Sequence, residues 1–262
     1  MLARVRFAPE RLMPHGLNDV LRQILLFGIT YYVYSLVRGA VNGRAVPAFQ
    51  HARQLISIER ALHVFVEPSV QAWASGSHLL IVISTYVYIN AQSSITLGAL
   101  AYLYLFHNQR FYFVRNMFVV AMFIALLGYV FYPTAPPRML PEWGFFDSVS
   151  NLTGVHPDNA SVNAFFNQYA AVPSMHVGFA VMIGVTMTRV IRSRLAQAAW
   201  LVYPLVITFV TVVTANHFLA DAVLGAVTAG LAALAATWLA RTRPEVWRFS
   251  PGATAAEAGA PA

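Results

Sequence analysis

A chain of 262 residues that is 58% hydrophobic and only 10% charged falls far below the roughly 25% charge of a soluble domain, which points to a protein embedded in lipid. All 17 basic residues are arginine and cysteine is absent, so Schiff-base lysine chemistry, a lysine phosphate clamp, disulfides, thiolate nucleophiles and cysteine–zinc sites are excluded. The net charge of +7 sits at the ends of apolar runs rather than on one basic stripe, a pattern of membrane topology and not of nucleic-acid binding.

Residues 1–19 hold Arg4, Arg6 and Arg11 and read as a short cytoplasmic segment. The apolar run that follows has no small-x-small cleavage site and reads as a retained span rather than a signal peptide. Crossing a hydrocarbon core of about 30 Å takes about 20 residues. Six runs approach or exceed that length, at Val20–Val37, Leu79–Phe106, Phe111–Tyr132, Ser174–Ile191, Ala196–Val213 and His217–Ala240. The second contains a polar break, Asn90-Ala-Gln-Ser-Ser94, which would kink the helix or divide it, leaving five or seven spans as alternatives. The expected fold is therefore all-α and polytopic, with a six-helix catalytic domain over residues 20–240. The stretch 241–262, rich in Ala, Gly and Pro, reads as a disordered cytoplasmic tail.

Direction follows from the arginines. With the N-terminus inside, twelve of the 17 fall on the cytoplasmic side, and Arg38, Arg44, Arg53, Arg60 and Arg138 fall on the other, as the positive-inside rule requires. Both termini are expected in the cytoplasm of a plasma (inner) membrane. The two outer connections, Arg38–His78 and Pro133–Pro173, are long and are where function should be sought. In the first, Leu55, Ile58, Leu62 and Phe65 recur at helical spacing beside Glu59 and Arg60, which predicts a helix lying in the membrane interface.

Ionisable residues at membrane depth are functional candidates by default. Three segments carry them: Tyr132-Pro-Thr-Ala-Pro-Pro-Arg138, Val172-Pro-Ser-Met-His176 and Asn216-His-Phe-Leu-Ala-Asp221. The topology brings all three to one face at one depth. His217 and Asp221 are spaced to share a helix face, where a carboxylate fixes the imidazole tautomer and readies the other ring nitrogen for attack. A buried histidine satisfied by a helix neighbour would show the same spacing. Pro173-Ser174 predicts a helix start with Ser174 as its cap, so that first-turn amides and the helix dipole favour a phosphate beside His176. The alternative for His176 is an interfacial histidine without a chemical role. Arg138, held by a proline-rich turn, would neutralise a phosphoryl group or simply snorkel to headgroups. Ser174, Asn216 and Tyr132 are further candidates for contacting substrate, each with an ordinary capping or interfacial alternative. Ser75-Gly-Ser-His78 precedes the arginine motif and is set aside.

In this order, Pro-Pro-Arg138, Pro-Ser-Met-His176 and His217-x-x-x-Asp221 resemble the three signatures of the type 2 phosphatidic acid phosphatase superfamily, KxxxxxxRP, PSGH and SRxxxxxHxxxD. Phe131 stands in the place of the lysine, Met139 in that of the proline after the arginine and Met175 in that of the glycine. No Ser-Arg pair stands before His217 at the family's spacing, where Thr211-Val212 is found instead. The forms around Tyr132–Met139 and Pro173–His176 are similar to the branch that includes inositol phosphorylceramide synthase, an inositolphosphotransferase, and more distantly to sphingomyelin synthases. The resemblance spans roughly residues 80–235. It implies headgroup phosphate transfer between lipids or onto a polyol, with His217 as nucleophile, Asp221 orienting it, His176 as acid and base, and Arg138 binding the phosphate. It implies no cofactor and no metal. The partners expected are a lipid phosphate or phospholipid substrate and the surrounding lipids; the oligomeric state is not readable.

Other classes remain open on the residues alone. Water as acceptor would make the enzyme a phosphatase on lipid phosphates or polyprenyl diphosphates. A lipid transporter or flippase would string its ionisable groups through the membrane, a zinc hydrolase would use His176, His217 and Asp221 as ligands, and a rhomboid-like protease would need a GxSxG that is absent.

Overall fold

The computed structural model describes residues 15–40, 44–154 and 168–243. Most of the predicted N-terminal segment, and the predicted tail from residue 244 onward, lie outside these. Among the described residues the fold is all-helical and without strands. The main helices are α1 (Gly16–Ala40), α2 (Ala45–Ala61), α3 (Glu67–Ser75), α4 (His78–Tyr86), α5 (Gln92–Phe106) and α6 (Asn108–Phe131), followed by α7 (Ser148–Thr153), α8 (Met175–Val190), α9 (Arg194–Val213) and α10 (Leu219–Thr242).

Among the described residues four stretches are long and apolar enough to cross a membrane: His78–Phe106, Asn108–Phe131, Arg194–Val213 and Leu219–Thr242. Leu79, Leu205 and Leu234 on their outer surfaces are each at least 66% exposed, as a lipid-facing surface demands when the backbone is satisfied within the helices. The protein is an integral membrane protein. Helix α8 is apolar but has only 16 residues, about 24 Å at 1.5 Å per residue. Helix α1 has 25 residues and carries Asn18, Asp19, Arg22 and Gln23 in its first two turns.

The polar break predicted at residues 90–94 does not divide the run, since His78–Phe106 is one continuous helical stretch. It overlaps a π-helical turn, Val87–Ala91, that joins α4 to α5. One residue too many per turn re-aims the side chains around it, and such turns recur at functional sites.

The bundle core lies between α6, α8 and α10. Phe118 and Phe179 stack with centroids 4.6 Å apart, and Met182, Ile183, Ala121 and Ala125 fill the space around them. Along α10, Ala222, Gly225, Ala229, Ala232 and Ala236 are buried at three- and four-residue spacing, a small-residue stripe that lets helix backbones approach closely in lipid. At Gly225 any Cβ would collide with the Ser174 carbonyl oxygen, and at Gly128 one would lie 2.7 Å from Pro173 Cδ. These two glycines seat the start of α8 against its neighbours.

A second core, formed by Ala48, Ala52, Leu55, Ile56, Leu140, Phe145, Val172, Ala215 and Phe218, packs the connections over one end of the bundle. The predicted helix at residues 55–65 is present only as far as Ala61, the end of α2, with Leu62 as its cap and Phe65 beyond it, and the buried face is Ala48, Ala52, Leu55, Ile56 and Glu59. Ile58 and Leu62 are exposed, because the alanines of the buried stripe permit close approach on that side.

Candidate active site

The three chemistry-bearing segments meet at that packed end. The turn before α10 carries His217 and Asn216, the start of α8 carries His176, and the 3₁₀ turn Pro137–Met139 carries Arg138. Backbone bonds hold them together: Arg138 N–H donates to the Ala215 carbonyl at 2.8 Å, and Ser174 N–H to the Asp221 carbonyl at 3.0 Å.

His217 Nδ1 lies 3.3 Å from Asp221 Oδ2. The two residues do not share a helix face as their spacing suggests, since α10 begins at Leu219 and His217 precedes its cap residue, Phe218. Asp221 instead reaches back over the helix terminus, where Oδ2 also accepts the Phe218 amide at 3.0 Å. The pair therefore forms through a capping geometry, in which a third-position carboxylate satisfies an orphan N–H. Asp221 is fully buried. A carboxylate on Nδ1 selects the tautomer with its proton there and the lone pair on Nε2. Ala215, at φ 51°, makes the tight reversal that lets both Asn216 and His217 amides donate to the Thr211 carbonyl at 3.0 and 3.3 Å.

The ring centroids of His176 and His217 are 5.7 Å apart. His176 stacks on Tyr88 at 4.5 Å, and Gln92 Nε2 donates to its carbonyl at 2.8 Å. Tyr88 lies within the π turn and Gln92 follows it directly. Tyr88 was not singled out from sequence, and Gln92 was visible only as part of a polar break.

Arg138 Nη1 donates to Asn216 Oδ1, and Nε stands 3.7 Å from Asp147 Oδ2. Asn216 Nδ2 in turn donates to the Thr214 hydroxyl at 2.9 Å and carbonyl at 3.1 Å. Asn216 is thus committed to orienting the guanidinium, and Asp147 is a contributor without a sequence signal. Ser174 is fully buried and accepts the Val177 amide as the α8 cap, and it does not line the cavity described next. Tyr132 turns away from the histidines, stacking on His51 at 4.0 Å and donating to Gln54 Oε1 at 3.1 Å; its burial holds the phenol above its ordinary pKa.

Arg138, His176, Asn216 and His217 line one end of a cavity of about 770 Å³. Its walls run between α1, α5, α6 and α8 past Tyr34, Leu97, Leu100, Phe118 and Met122 to Gln23 and Tyr104 at the far end. Arg138 and the two histidines stand at one end, an apolar stretch leads away from them and Gln23 and Tyr104 close the other end, a form that suits a molecule with a charged head and a long apolar tail. Among the described residues no group of three or more His, Asp or Glu side chains is placed to hold a metal ion.

A family model described as the PAP2 superfamily matches residues 53–235, which include all the residues just placed at the histidine end. No curated protein and no solved structure matches the chain.

Proposed function

The chain belongs to the PAP2 superfamily, whose activity is phosphatase or phosphotransferase chemistry on phosphate esters, and we propose that it transfers the headgroup phosphate of one lipid to another lipid or to a polyol through a phosphohistidine. The observation that carries this reading is the convergence of Arg138, His176 and the His217–Asp221 pair on one end of a long apolar cavity.

In the proposed reaction His217 Nε2 attacks phosphorus and the bond to the leaving oxygen breaks. His176 gives that oxygen its proton, and Asp221 stabilises the charge arising on His217 through Nδ1–H. His176 then takes a proton from the acceptor hydroxyl, whose oxygen attacks the phosphohistidine and releases His217. Arg138 and the N-terminal dipole of α8 offset the charge on the equatorial oxygens. The apolar channel would hold the acyl or prenyl chain. Asn216 and Ser174 serve by holding Arg138 and capping α8. No metal takes part in this scheme, and the histidine–carboxylate pair is kept for attack on phosphorus.

The membrane topology is proposed to comprise six spans, with α1 and the short α8 joining the four longer ones. Twelve of the 17 arginines would then face the cytoplasm with both termini, the site would open on the outer face, and α2 and α3 would lie at that interface.

The test gives purified protein labelled phosphatidate, polyprenyl diphosphate or phosphatidylinositol with EDTA present, beside His217→Ala. A new phosphodiester lipid establishes transfer. Free phosphate with no transfer product makes water the acceptor and the enzyme a phosphatase, and turnover surviving in His217→Ala overturns the mechanism.

A further inference from the structure

Two carboxylates that the reaction does not use are buried against the catalytic helix. Glu59 of α2 is 2% exposed and Glu67 of α3 is 0% exposed. Glu67 Oε1 accepts the Leu219 amide at 2.9 Å and Glu59 Oε1 accepts the Ala220 amide at 2.8 Å. With Asp221 on the Phe218 amide, three successive N–H groups at the start of α10 each receive a different carboxyl group. Two of these come from more than 150 residues away in sequence.

Such a cluster cannot be fully ionised. A helix N-terminus presents about half a positive charge, against three negative charges here. No arginine among the described residues forms an ion pair with Glu59 or Glu67. Arg60, next to Glu59 in sequence, lies over Trp143, and Arg138 is engaged by Asp147 and Asn216. The second oxygens of Glu59 and Glu67 are buried and receive no donor from the protein, while their first oxygens sit on the amides of adjacent residues, Ala220 and Leu219. Carboxylates crowded in this way repel unless one carries a proton, which then forms a hydrogen bond between them.

We propose that Glu59 and Glu67 form a hydrogen-bonded pair holding one proton, which clamps the N-terminus of α10 and thereby positions Asp221 against His217. They are positioning residues acting through the helix rather than on substrate. Burial and the neighbouring charges of Glu67 and Asp221 push Glu59 up to about 8, so the proton is retained at neutral pH. Loss of that proton places a third negative charge at the terminus, drives the carboxyls apart and releases the clamp. The effect on turnover rests on the catalytic reading above; the clamp itself does not.

The experiment therefore has two arms on the full chain in detergent, for wild type, Glu59→Gln and Glu67→Gln. In either variant a glutamine amide supplies permanently the hydrogen that the pair otherwise takes from a proton. The first arm is thermal unfolding against pH. Folding holds the Glu59 proton more tightly than the unfolded chain, whose ordinary value is 4.5, so the contribution is complete below that value and is lost as pH climbs through about 8. Wild-type Tm should fall by about 5 °C more than that of either variant over this window. The second arm is turnover of whichever of the three lipids the wild type accepts. Its kcat should decline above about pH 8, while Glu59→Gln stays within about threefold of its neutral value to about pH 9. Should Glu59→Gln fail to fold, Glu67→Gln makes the same test. Superimposable Tm and rate profiles for wild type and variants would overturn the proposal. A wild type without turnover would defeat the catalytic reading alone, with the Tm arm still deciding this one.

Discussion

Two buried polar clusters stand at opposite ends of the cavity. At the far end Asp19 accepts from Gln23, Tyr104 and Tyr112 at 2.7–2.9 Å, while Arg115 donates to Gln23 and Asn116 and faces the Tyr112 ring. Gln23 links the two charges by donating to one and accepting from the other. At the histidine end Glu59, Glu67 and Asp221 each keep one buried oxygen without a donor. The far cluster satisfies its charges and fixes α1 against α5 and α6; the near one is held under electrostatic tension. In an apolar bundle a saturated network is structural, whereas one with unspent acceptors beside a cavity responds to pH.

The contrast predicts opposite failures. The largest effect is expected for His217→Ala, which should lower kcat by about four orders of magnitude. Its Tm should fall by only about 2–4 °C, since Asp221 Oδ2 loses the ring but keeps the Phe218 amide. Arg115→Met should do the reverse, leaving Gln23 Oε1 and Asn116 Oδ1 without their donor and Asp19 without a nearby cation, a loss of about 3–5 kcal/mol. Activity per folded molecule should remain. Chemical denaturation and single-turnover rates on both variants check this, and a stable Arg115→Met protein would show the far cluster to be dispensable.

A smaller effect should appear where the helices touch at the site. Gly225→Ala places a methyl on the Ser174 carbonyl, and backbone cannot give way as a side-chain tip can. Overpacking of this kind costs about 1–3 kcal/mol. Because Ser174 caps the helix that carries His176, kcat should fall together with Tm. A drop in Tm with unchanged kcat would mean that α8 shifts without disturbing His176.

The comparison also explains what could be read in advance. Arg138, His176, His217 and Asp221 were legible because short-range spacing and the ends of apolar runs place them together. Even so, the His217–Asp221 contact arises by helix capping and not along a helix face, because the turn that follows Val213 extends through His217, which the apolar run assigns to the helix. Glu59 reads in sequence only as a polar neighbour on an interfacial helix and Glu67 not at all, since their partners are backbone amides far along the chain and an amide has no sequence signature. Tyr88 and Gln92 depend on a π turn, which shifts register by one residue and defeats 3.6-residue periodicity. The turn of Tyr132 toward His51 is a rotamer choice set by the second core, and the stretch around it reads the same whichever way the ring points.

The same turn yields the smallest prediction. Ala215 holds a left-handed φ of 51° that costs an L-residue about 1–2 kcal/mol. Ala215→Gly removes that cost, but it also loses a buried methyl worth about 0.8 kcal/mol and frees the unfolded chain by about as much again. These terms nearly cancel, so stability should change by less than about 1 kcal/mol. Catalysis is expected to be more sensitive. The Ala215 carbonyl fixes the backbone of Arg138, and the turn aims Asn216 and His217, so added freedom should lower kcat about threefold to tenfold through misplacement of reacting groups. An unchanged kcat in Ala215→Gly would show that the hydrogen bonds to Thr211 and the carboxyl clamp on α10 aim His217 without help from the strained residue.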